Sequence, residues 1–203
     1  IIATVSSAVV LLLGAFAGYS LARYEFKVWK NKDIALWILS QRMFPPVAVI
    51  IPYFLIMKQL RLLDSLLAII MVHVTMNLPL AVWLMLDFFS DLYKDIEDAA
   101  LIDGCGHFKA FFYIALPIAA PGLVAVYVLS FIFSWNEFMF ALILTRRSAK
   151  TAPVQIVNFM AYEGVDWGQF ASAGILILLP VLMFSFAIRK YLVKGLTAGA
   201  VKG

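Results

Sequence analysis

Trp135, Asn136 and Glu137 stand in a row near the end of a long apolar stretch, and Gln41 and Arg42 interrupt another just before Met43-Phe44-Pro45-Pro46. A ring beside an amide and a carboxylate suits the recognition of sugar hydroxyls. The plainer reading of the same triplet is an aromatic and polar belt at the outer membrane interface. A charge inside an apolar run is costly and faces a cavity or a partner. Arg42, with Gln41, therefore reads either as lining a path or meeting a second subunit, or as a snorkelling residue or half of a structural pair. Asn77, with Pro79 two residues on, offers a polar notch for a hydroxyl or a hydrogen bond between helices. Gln41, Arg42, Asn77, Trp135, Asn136 and Glu137 are thus the candidate lining of a translocation path.

The other reactive side chains do not assemble into a centre. His73 is isolated and reads as a packed or hydrogen-bonded helix residue. His107 has no second His or acid at ligand spacing, so no metal site is expected. Cys105 lacks a base partner and, as the lone cysteine, excludes an intrachain disulfide. The sequence holds no glycine-rich phosphate loop, no paired catalytic carboxylates in a pocket and no nucleophile triad. No catalytic residue and no cofactor is expected on this chain, and any ATP hydrolysis falls to another one.

The elements that position these residues follow from composition. Hydrophobic residues make up 64% of the 203 and charged residues 14%, with a mean hydropathy of +0.96. Soluble domains carry about 45–50% apolar and about 25% charged residues, so the bilayer is the expected solvent. A net charge of +4 on so little polar surface does not point to nucleic acid. Five stretches are long enough to cross a membrane: roughly Ile1–Ala22, Ile34–Met57, Leu66–Leu86, Ile114–Leu144 and Phe170–Ile188. Prolines inside several of them are tolerated where neighbouring helices satisfy the freed carbonyls. The small residues Ala15, Gly18 and Ala22 allow close packing. The predicted fold is all-α, a polytopic transmembrane helical bundle.

Lys and Arg orient it. Arg23, Lys27, Lys30, Lys32, Lys94, Lys109, Arg189, Lys190, Lys194 and Lys202 fall on one side, against Lys58, Arg61, Arg146, Arg147 and Lys150 on the other. The richer side is assigned to the cytoplasm, so residue 1 starts outside. A five-span chain that starts outside, and begins Ile1-Ile2 without Met, reads as a six-span protein lacking its first helix and the outer loop after it.

On the inner side lies Ser90–Pro121. Ser90 or Asp91 is placed to cap a helix, and Asp95, Glu97 and Asp98 fall in its early turns, where the helix dipole favours acids. Ala99, Ala100 and Gly104 present small side chains that let another protein approach the backbone. Gly104-Cys105-Gly106 predicts a turn. His107–Ala115 then reads as a short aromatic helix before Pro117. From residue chemistry alone, a docking surface and a solvated connector stand level.

The spacing decides between them by resemblance. Asp98-Ala99-Ala100 after Glu97, then Asp103-Gly104 and Ile114-x-Leu116-Pro117, resemble the EAA loop of ABC importer permeases. Asp98 replaces that pattern's Glu, Cys105 stands where alanine is common, and Tyr93 where proline is common. Ala17–Arg23, Ser134–Phe138 and the tail Lys194–Gly203 resemble the carbohydrate-uptake, maltose-type branch. The resemblance covers essentially the whole chain. It implies a type I permease domain over 1–203 with a cytoplasmic coupling loop over 90–117. It implies Glu97, Asp98, Ala99, Ala100, Asp103, Gly104, Ile114, Leu116 and Pro117 as the ATPase-coupling residues. It also implies a second permease subunit, two ATPase subunits that bind the ATP, and an extracytoplasmic binding protein. Its setting is the bacterial inner membrane, with lipid around a multi-pass chain and no nucleic acid. The outer segment Arg146–Gln169 is then expected to meet the binding protein through Asn158, Tyr162 and Trp167. The alternatives are an importer permease for an amino acid, phosphate or polyamine, a secondary transporter, and a membrane enzyme. The tail disfavours the first. The second needs an inverted repeat or a chain of intramembrane ionisable groups, and the third a catalytic constellation.

Overall fold

Pro45 and Pro46 divide what the sequence presents as one apolar stretch. The residue before a proline is pushed out of the helical region, and Phe44 is extended at φ −65°, ψ 127°. Pro46 restarts a helix at the position where its missing N–H costs nothing. The result is a pair of helices bent by 90° rather than the continuous span expected over Ile34–Met57.

The computed structural model describes residues 1–161 and 164–200, with side chains at all of these except 158, 160, 161, 164, 165 and 187–200. Its elements in order are α1 (Ile2–Arg23), α2 (Asn31–Ser40) with a 3-10 turn at Gln41–Met43, α3 (Pro46–Gln59), α4 (Leu66–Ser90) and α5 (Lys94–Ile102). Then come α6 (His107–Ala110), a π turn (Phe111–Ala115), α7 (Leu116–Ile118), α8 (Ala120–Trp135), α9 (Met139–Leu144), α10 (Ala152–Gln155) and α11 (Trp167–Ala200). One two-residue antiparallel pair, β1 (Met160–Ala161) and β2 (Gly164–Val165), interrupts the helices.

Among the described residues, three helices are long and apolar enough to cross a membrane unbroken: α1, α4 and the Trp167–Phe186 part of α11. The α2–α3 pair, and His107–Ile118 with α8, bring the number to five if each bent pair is one span. The second bend is 76°. It falls at Ala119, whose ψ of 3° ends α7, rather than at Pro117 where the sequence suggests entry. Pro121 has no N–H to return to the carbonyl of Pro117, so the helical ladder has already been opened there.

α1 and α4 form the centre of the bundle. Gly18 makes their approach possible: a β-carbon there would stand 2.7 Å from the Leu86 nitrogen and from Met85 Cβ. Ala15, Tyr19, Met85 and Phe89 pack around this crossing with Phe111 and Ala115. A second cluster joins Met57 of α3, Ile69 and Val72 of α4, and Phe140 and Leu144 of α9. α11 lies against α8 through Phe184 on Phe131, ring centres 4.2 Å apart, and through the Trp135 indole N–H bonded to the Ile177 carbonyl. No residue of its apolar window is fully buried, and the face turned away from α8, with Ile175, Leu176, Leu179 and Met183 exposed, is open to lipid or to another subunit.

Candidate functional site

The stretch after α4 folds as a helix with two unlike faces. Ser90 and Asp91, expected to cap a new helix, instead end α4. Ser90 is its last residue, and the hydroxyl bonds back to the Leu86 carbonyl, so it is spent inside α4. The new helix, α5, starts after Tyr93 with no side-chain cap, and Asp95 and Glu97 fill its first turn. Its end is a Schellman motif. The Cys105 N–H reaches the Ala100 carbonyl at 3.0 Å and the Gly104 N–H reaches that of Leu101 at 3.1 Å. Gly104 takes φ +88°, the conformation this motif requires and β-carbons resist. Nothing lies within 4 Å of a β-carbon placed there.

Glu97 is the one buried residue of α5. Its carboxylate accepts from Arg23 Nε at 2.9 Å, from Arg23 Nη2 at 2.7 Å and from the Tyr19 hydroxyl at 2.7 Å. Arg23 Nη2 also donates to the Leu92 carbonyl. Both side chains are nearly sealed, 9% exposed for Arg23 and 7% for Glu97. Removing one partner of such a pair costs about 3–5 kcal/mol because the other charge is left buried. Of the acids that the resemblance places among the coupling residues, Glu97 has its charge satisfied inside the chain.

Asp98, Ala99, Asp103 and Gly104 are exposed and Ala100 half-buried. Large apolar side chains are exposed along the same loop: Ile102 is 87% exposed, and Tyr93, Phe108 and Tyr113 are exposed too. Ile114, Leu116 and Pro117 lie on the π turn and α7. They belong to the root of the loop rather than to its tip.

The residues expected to line a path are dispersed. A cavity of about 390 Å³ lies between the α2–α3 break and α4, lined by Trp37, Gln41, Phe44, Tyr53, Thr75 and Pro79 among others. Gln41 is the one expected residue on its wall. Arg42 turns away: its guanidinium donates to the Met76 carbonyl at 3.2 Å and sits 4.6 Å over the Phe133 ring. Asn77 is buried in α4. Trp135 is tied to α11, and Asn136 is exposed, its amide bonded to the Ile132 carbonyl. Glu137 accepts the Phe140 and Ala141 N–H groups that open α9.

Glu137 also ends a polar chain across three helices. Its carboxylate lies 3.3 Å from His73 Nε2, His73 Nδ1 lies 2.5 Å from the Ser134 hydroxyl, and that hydroxyl lies 2.9 Å from Ser6 on α1. His73 is thus a hydrogen-bonded helix residue, and no group of metal-binding side chains occurs among the described residues.

The start of the Arg146–Gln169 segment is anchored by Asp64, which the sequence did not bring forward. Its carboxylate accepts the N–H groups of Arg146, Arg147, Ser148 and Ala149, and its own N–H donates to the Leu144 carbonyl. These donors hold its pKa well below the usual carboxylate range. Trp167 is exposed at the start of α11. Tyr162 and the Asn158 side chain lie outside the described residues. Tyr19 and Arg23 were also missed as a site, although the spacing of four on one helix, next to the inner border, puts both on the face that meets the loop.

The chain is thus a bundle of bent spans with an exposed, Gly-ended helix between α4 and α8. The solved bacterial transporter for import of the acidic polysaccharide alginate superposes with a TM-score of 0.68 at 20% identity, covering 94% of this chain and 74% of that one. Residues 11–198 match the family of binding-protein-dependent transport system inner membrane components, and the chain belongs to that family. It is an ABC importer permease. The trehalose transport permease SugB of Mycobacterium tuberculosis is 37% identical over all of this chain and 74% of its own length. The trehalose/maltose permease MalG of Thermococcus litoralis is 36% identical over all of this chain and 73% of its own.

Proposed function

We propose that this chain moves a sugar or polyol across a bacterial inner membrane as one of two permease subunits. Two ATPase subunits drive it from the cytoplasm and a binding protein supplies substrate outside. The observation that carries the coupling half of this reading is α5: anchored by Glu97 on one side, exposed from Asp98 to Gly104 on the other, and ended by a left-handed glycine. Such a helix can seat in a cleft of another protein without giving up its own attachment. Relatives named for trehalose and maltose support the substrate class. A ligand shifts an alternating-access equilibrium only by its different affinity for the two states, so ATP-driven closure of the ATPases must reach the spans through this loop.

The test is uptake by the reconstituted complex, with the binding protein outside and ATP inside. Labelled trehalose, maltose, a polyol, an amino acid and phosphate are offered separately. Accumulation of a sugar or polyol that needs both ATP and the binding protein is expected. Accumulation of the amino acid or phosphate alone overturns the substrate class.

A further inference from the structure

α5 has one buried side chain by which to hold the membrane domain, and that side chain does not hold the helices to which α5 is joined. The chain enters α5 from α4 and leaves it towards α6, yet Glu97 reaches sideways to Tyr19 and Arg23 on the last two turns of α1. Three hydrogen bonds meet on one carboxylate, two of them from a single guanidinium in the forked geometry that fixes orientation as well as distance. A fourth, from Arg23 to the Leu92 carbonyl, holds the α4–α5 turn to the same point. The Tyr19 ring lies against Phe89 and Phe111, with centres 5.3 and 4.7 Å away, which fixes its hydroxyl on the Glu97 carboxylate. Arg23 also closes the basic end of α1, where the helix dipole favours a cation.

We propose that the Arg23–Glu97 pair, steadied by Tyr19, is the link that passes displacement of α5 to α1. Arg23 and Glu97 are positioning residues for coupling, and neither touches the ATPase or the substrate. The inference rests on the reading above that α5 seats in an ATPase cleft. It adds the route from there: through a buried, directional ion pair into α1, rather than only along the covalent chain into α4 and α6. The neighbouring acids divide the work, with Asp98 facing the driving subunit and Glu97 facing the driven helix.

Three variants of the whole complex in proteoliposomes test this: the paired apolar replacement Arg23→Met with Glu97→Leu, the near-isosteric Glu97→Gln, and the charge swap Arg23→Glu with Glu97→Arg. The apolar pair leaves no orphan charge and so preserves folding, while removing the directional bonds. Each is read by co-purification of the ATPases, ATP hydrolysis and substrate taken up per ATP. The expected result is normal ATPase co-purification with uptake per ATP lowered about fivefold or more in the apolar pair, the lower end of ordinary coupling energies. Glu97→Gln falls between it and the native complex, and the swap regains part of the loss. Uptake per ATP equal to the native value in the assembled apolar pair overturns the proposal. So does failure of both the apolar pair and Glu97→Gln to assemble, because the pair is then a folding element and not a transmitter. A native complex that takes up no sugar per ATP refutes the proposed function instead, and the two failures are told apart by that control.

Discussion

Glu97 and Asp98 are adjacent in the chain and opposite in environment: the first carboxylate is enclosed by Arg23 and Tyr19, the second is exposed. Reversing each charge therefore has a different consequence. Asp98→Lys leaves the membrane domain intact and weakens capture of the ATPases, measured as ATPase retained on the purified permease. Glu97→Lys opposes Arg23 inside a sealed site and lowers the yield of folded chain, measured by size-exclusion chromatography in detergent. Equal loss of yield in both variants contradicts this division.

Gly104 has open space around its α-carbon and a φ of +88°. The penalty for a side chain there is conformational rather than a clash. It amounts to about 1–3 kcal/mol for a residue that resists the left-handed region. Asn tolerates that region better than Leu. Uptake per ATP is therefore expected to fall in the order Gly104, Gly104→Asn, Gly104→Leu, with membrane insertion unchanged. A Leu variant that couples as well as the Asn variant refutes the argument from φ.

Asp64 clamps the start of the outer segment through consecutive N–H groups. Asp64→Asn suits the backbone at φ 59° but removes the charge. Trypsin added outside is expected to cut after Arg147 faster in the variant than in the native chain. The carboxylate's folded-state pKa is depressed, so its contribution is complete above the unfolded value of about 4 and is lost only as pH falls through the folded one. Resistance to cleavage at that site is accordingly expected to hold level from pH 8 to about 5. A decline across neutral pH assigns the protection to another group.

Ser134 satisfies His73 and Ser6 together. Ser134→Ala leaves His73 Nδ1 without its partner, while the Ser6 hydroxyl keeps the Ala3 carbonyl, and a buried polar group left unsatisfied costs about 1–3 kcal/mol. A lower Tm of the purified complex is expected. A single variant as stable as the native complex shows that the chain of hydroxyl and imidazole groups contributes nothing.

The apolar segments and the glycine turn at Gly104 were legible in the sequence, because each depends on short-range rules: hydropathy over about 20 residues and the backbone freedom of glycine. The direction of individual side chains was not. Glu97 and Asp98 are equally acidic in sequence, and only the approach of α1 decides which is buried. Arg42 reads equally as a path residue or as half of a structural pair, and only the α2–α3 bend places it on Met76 and Phe133. For Glu97 and Arg42 the partner lies dozens of residues away, and no local pattern encodes it. Glu137 reads either as a sugar ligand or as part of an interfacial belt, and its carboxylate meets the nearby N–H groups that open α9.

The close crossing at Gly18 makes α1 and α4 behave as one stiff beam. Backbones in contact cannot slide past one another, so a tilt applied at one end is not absorbed along the way. At 1.5 Å per residue, α1 extends about 26 Å from Arg23 to Ser6. A tilt of about 10° at the inner end therefore displaces Ser6 by roughly 4–5 Å on that geometry, more than the length of a hydrogen bond. The Ser6–Ser134–His73–Glu137 chain sits at that far tip. A lever of this length makes it the place where a small inner movement arrives as a broken or exchanged bond.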